Sequence, residues 1–112
     1  MEWQPRLDEM GVVLSAFDGA KSMTERRKLT AGLLTFVAGW KKDLDAMEVR
    51  EGFWGEFEGA GGMNALNELF DIGQQVLSYQ LTGRQGVKRA EPYVSALIKA
   101  HREATVKSKH ED

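Results

Sequence analysis

Apolar residues recur along this chain at spacings of three and four, a rhythm that predicts amphipathic helices. Leu7, Met10, Leu14 and Phe17 form the first stripe, widened by Val13. Pro5 ahead of it suits a first helical turn, where a missing N–H costs nothing, and Gly19 is a suitable stop. Ser22-Met23-Thr24-Glu25 has the spacing of a capping box and opens a second stripe of Leu29, Leu33, Phe36, Val37, Trp40, Leu44 and Met47. Gly32 and Gly39 lie on that helix, where they either admit a close neighbour or weaken its middle. Asn64 is a cap for a third stripe of Leu66, Leu69, Phe70, Gly73, Val76, Leu77 and Leu81. Gly83 to Ala90 reads as a basic turn, after which Pro92 opens a helix bearing Val94, Leu97, Ile98, His101 and Ala104.

No segment shows sustained two-residue alternation, and no repeat of fixed period is present. The expected fold is all-α: a single small helical domain spanning 1–112, bundle-like, with about four helices. Their expected bounds are 5–19, 23–50, 64–82 and 91–106, with helix 2 long, a loop at 52–62 and a tail at 107–112 that frays.

The stretch Gly52 to Gly62 holds five glycines, three aromatics and two acids. Glycine makes the backbone costly to order, while aromatics carry much of the energy of interfaces. Phe53, Trp54 and Phe57 on such a loop read as a docking element for a partner protein. The competing reading folds the same aromatics back into the domain's own core. Helix 2 carries more apolar length than a thin four-helix core requires. Leu29, Leu33, Phe36 and Trp40 are therefore expected at a homodimer contact.

Charge sharpens the picture. The net value is −2, but the blocks alternate: −3 over residues 1–20, +5 over 21–42, −7 over 43–71 and +3 over 84–112. Such blocks suit antiparallel helices or association between oppositely charged surfaces. Arg26, Arg27 and Lys28 stand at the start of helix 2, where cations oppose the helix dipole. They read as a second partner-binding element. The near-neutral total makes general nucleic-acid affinity unlikely in comparison with protein binding. With no cysteine there is neither a disulfide framework nor a thiolate metal site, which fits a cytoplasmic setting. The polar N-terminus does not look like a signal peptide, and the longest nearly apolar run, Leu33 to Trp40, is too short to span a bilayer, so no membrane association is expected.

Catalytic and cofactor signals are absent or weak. The glycines before Asn64 follow no strand and are accompanied by Glu56 and Glu58, which repel phosphate. Asp43-Leu44-Asp45 begins like a calcium loop, but Met47 and Glu48 break the pattern. Ser95 and Lys99 share a helix face at a spacing that chance often produces, and His101 reads as a boundary residue. No catalytic, cofactor or metal residues are assigned, and the chain is not expected to be an enzyme.

The leading expectation is a small non-catalytic regulator or inhibitor that occludes a surface of a protein target. Antiactivators of transcription factors and phage-type inhibitors of host defence complexes share its size and character. That is an analogy of fold class carried by no motif. One alternative is a bundle that binds a small apolar ligand among Phe36, Trp40, Met47 and Phe70. Another is a nucleic-acid-binding accessory protein using Arg26–Lys28 and Arg84–Arg89.

Overall fold

The computed structural model describes residues 4–45 and 52–109, with side chains described for 8–40 and 52–107. Five helices follow one another: α1 (Gln4–Asp18), α2 (Met23–Asp45), α3 (Phe53–Gly59), α4 (Gly62–Leu77) and α5 (Gly83–Lys109). There is no strand among the described residues. The all-helical expectation therefore holds, with one helix more than the periodicity suggested. Residues 46–50, the expected last part of helix 2, lie outside the described residues.

The start of α2 is built as its sequence indicates. Ser22 Oγ accepts the Glu25 N–H at 3.1 Å, and the Glu25 carboxylate accepts the Lys21 N–H at 3.1 Å. The Glu25 N–H, which the helix leaves without a carbonyl partner, is thereby satisfied, and the Glu25 carboxylate reaches back to the residue before the Ser22 cap. Met10, Leu14 and Phe17 of α1 are buried, as are Thr30, Leu33, Leu34, Val37 and Trp40 of α2. The buried Thr30 hydroxyl donates to the Arg26 carbonyl at 2.8 Å, so it brings no unsatisfied donor into the core.

Several boundaries differ from the expectation. The helix expected at 64–82 runs over Gly62–Leu77, so Asn64 lies inside it rather than capping it. The segment read as a loop at 52–62 is mostly helix α3, closed by a tight turn at 60–61. Glycine disfavours a helix locally, but Trp54 and Phe57 lie one turn apart and both are buried, and that burial outweighs the propensity cost. The basic turn expected at 83–90 is the first part of α5. Thr82 and Gln85 form a reciprocal cap: the Thr82 N–H donates to Gln85 Oε1 at 2.9 Å and the Gln85 N–H to Thr82 Oγ1 at 3.1 Å. Pro92 lies inside the resulting helix without ending it, because Val87, Ala90, Val94 and Leu97 are buried on both sides of it. Finally, α5 continues through Lys109, so part of the expected tail is helical, and Lys107 Nζ lies 3.6 Å from the Glu56 carboxylate. Residues 110–112 lie outside the described residues.

α5 is the hub. It packs against α2, α3 and α4, while α4 also packs on α2 and α1 rests on α2. Close approach is made by Gly73 and Gly86 rather than by Gly32 and Gly39. A Cβ at Gly73 would sit 2.9 Å from the Leu34 carbonyl oxygen, and one at Gly86 would sit 2.3 Å from Val76 Cγ2. Nothing lies within 4 Å of the corresponding positions at Gly32 and Gly39.

Candidate functional site

The aromatic segment expected to dock a partner instead closes the core. Trp54 is 7% exposed, Phe57 is fully buried and Phe53 is half-buried. Trp54 meets Trp40 at a centroid separation of 6.3 Å and Phe57 at 5.5 Å, edge to face in the second case. Phe53 stacks on Phe57 at 5.5 Å and meets the His101 ring of α5 edge-on at 5.5 Å. Trp54 and Phe57 are therefore committed to the chain's own interior. The same holds for two residues expected at a dimer contact, Leu33 and Trp40, which are 0% and 1% exposed. Leu29 and Phe36 are half-buried. Over Leu29 to Trp40 the face of α2 packs against α4 and α5, and the ring of Trp40 meets Trp54 of α3, whereas the side chains of Leu44 and Met47 lie outside the described residues.

A small-ligand pocket among Phe36, Trp40, Met47 and Phe70 gains little from this arrangement. Phe36 packs on Trp40 at 5.4 Å, and Met47 lies outside the described residues. His101 packs against Gly11 and Phe53, and burial holds its pKa below the usual value of 6.5. Ser15, Asp18 and Arg102 line the same hollow of about 130 Å³ as the ring. Among the described residues, no group of three or more His, Cys, Asp or Glu side chains could hold a metal ion, and no helix is long and apolar enough to cross a membrane.

The basic residues behave differently. Arg26 is half-buried, with its guanidinium 4.8 Å from the centre of the Phe17 ring and its buried Nε without a hydrogen-bond partner. Arg27 and Lys28 are exposed, as are Arg84, Lys88 and Arg89 on α5. Chain folding brings the two basic segments together: Arg27 of α2 and Arg84 and Lys88 of α5 line a single cleft of about 460 Å³. Met23, Val87 and Glu91 complete its lining. Val87 is buried beneath it, whereas the Met23 side chain is 54% exposed.

A neighbouring cleft of about 440 Å³ is lined by Phe17, Asp18, Arg26, Ser95, Ile98, Lys99, Arg102 and Glu103. Its charges are largely internal to the fold, for Arg102 pairs with Asp18 and Glu103 adds a second acid. The first cleft sets three cations against Glu91 alone. Among the described residues, the ion pairs are Arg102–Asp18 and Lys107–Glu56, and neither reaches Arg27, Arg84 or Lys88. Uncompensated like charges around an exposed methionine contribute little to folding, which makes this cleft the candidate site.

Sequence reasoning missed Met23 and Val87 as members of the site. The signal lay in Thr82-Gly83-Arg84-Gln85, which has capping-box spacing and places Arg84 and Lys88 one turn apart on a helix. Comparison with known proteins yields no match to a family model, to a characterised protein or to a solved structure.

Proposed function

We propose that this protein is a non-catalytic regulator that binds another protein through the cleft between the starts of α2 and α5, and so occludes a surface that the target needs. One observation carries the reading: Arg27 and the pair Arg84 and Lys88, far apart in sequence, converge without carboxylate partners around exposed Met23. A mixed apolar and basic cleft of this kind lets electrostatic steering and a small apolar centre act together. A cytoplasmic setting is consistent with this role. Nothing in it requires a second copy of the chain.

The test is affinity capture from cell extract with the unaltered chain and with an Arg27→Glu, Lys88→Glu variant, followed by mass spectrometry. Both substitutions are at exposed positions, so the variant should keep its helical circular dichroism. A protein captured by the unaltered chain should be lost from the variant. Equal capture by both would remove the cleft from the proposed function.

A further inference from the structure

We infer that the cleft between α2 and α5 receives an acidic amphipathic helix of the partner, with one apolar side chain seated on Met23 and Val87 and carboxylates on Arg84, Lys88 and Arg27. This rests on the protein-binding role proposed above and adds the chemistry of what is bound.

Charge complementarity selects the occupant. Arg84 and Lys88 stand four residues apart on α5, hence about 6 Å along its axis. Carboxylates spaced one turn apart on a facing helix match that interval. Arg27 approaches from α2, so the cations lie on both walls of the cleft. Between them the lining is apolar: Val87 is buried and Met23 is more than half exposed. Methionine is unbranched and polarizable, and adapts to varied apolar partners. A phosphate backbone would satisfy the cations but would gain nothing from Met23. An apolar helix without acids would leave three cations facing a desolvated contact. A segment that combines acids with an apolar residue uses both the cations and the apolar part of the lining.

The test uses fluorescence anisotropy with the full chain and four labelled probes, the last being the first peptide with lysines in place of its glutamates. The first is a synthetic helical peptide with two glutamates one turn apart flanking a leucine. The second is the same peptide with that leucine replaced by serine. The third is a DNA duplex. The first should bind saturably and more weakly as salt rises. Lys88→Glu or Met23→Ala in the protein, or serine in the peptide, should each weaken it by roughly tenfold or more. A peptide with lysines for glutamates should bind Lys88→Glu better than the unaltered chain.

Duplex binding equal to or tighter than peptide binding would overturn the inference in favour of a nucleic acid. Equal binding of the leucine and serine peptides would overturn the apolar seat. If no peptide binds while cellular capture still depends on Arg27 and Lys88, the acidic-helix inference fails and the protein-binding role stands. If the peptide binds as described but capture is indifferent to both residues, the inference stands and that role fails.

Discussion

Trp40 of α2 and Trp54 of α3 face each other with ring centroids 6.3 Å apart and planes inclined at 45°. This contact links the seven-residue α3 to α2, and Phe57 extends the same cluster from 5.5 Å. A helix as short as α3 has no stability of its own in water, so its aromatic face holds it in place. Trp54→Ala should therefore cost about 3–5 kcal/mol, as for other aromatic deletions in cores. In a chain of this size that corresponds to a fall in melting temperature of roughly 10 °C or more. Thermal unfolding followed by circular dichroism checks it. A melting temperature within a degree or two of the unaltered chain would mean that Trp54 is not part of the core.

Substitutions at the helical glycines should separate by position. Gly32 and Gly39 are exposed and have open space where a Cβ would stand, so alanine there should stabilise by about 0.5–1 kcal/mol each through helix propensity. At Gly73 the new methyl would meet the Leu34 carbonyl oxygen at 2.9 Å, and backbone cannot swing aside as a side chain can. Gly73→Ala should instead destabilise by about 1–3 kcal/mol, because α4 must move off α2. Urea unfolding of the three variants measures both signs.

These two cases show what was legible in the chain. Helix periodicity and the Ser22–Glu25 cap located α1, α2 and the cores of α4 and α5, because one-sided burial leaves a direct mark on sequence. The state of Gly52 to Gly62 was not legible. Its glycines speak for a loop, and only packing of Trp54 and Phe57 against distant Trp40 and the core reverses the local preference. Pro92 misled for the same reason: a residue that often opens a helix here lies within one. The candidate site was half legible. Both basic segments stand out in the sequence, but their convergence beside Met23 depends on how α2 crosses α5.

Tyr79 should be more costly to folding than a glycine in its place. It has φ of 63° and is 95% exposed, immediately after α4. The Gln80 N–H reaches back to the Gln75 carbonyl at 2.8 Å and the Tyr79 N–H to the Val76 carbonyl at 3.2 Å. That is the Schellman pattern, whose left-handed residue is ordinarily glycine. Tyr79→Gly should stabilise by about 1 kcal/mol, since the left-handed strain disappears and almost no buried area is lost. Denaturant titration measures the gain. A loss of stability would show that the ring makes contacts which its exposure does not suggest.

Acid should weaken the fold through His101. Burial beside Phe53 and Gly11 disfavours the charged imidazolium, so the pKa of the folded state lies below 6.5. In the unfolded chain the ring is free to take up a proton at its ordinary pKa. Between the two values the unfolded state binds more protons, and stability rises with pH. The contribution is thus fully present above about pH 6.5 and is lost as pH falls through the folded-state value. Glutamine keeps much of the ring's bulk and cannot titrate, so His101→Gln should flatten the slope of unfolding free energy just below about pH 6.5, whatever it does to absolute stability. Urea midpoints measured at several pH values for both chains provide the comparison. An unchanged slope in the variant would show that another group governs the acid response.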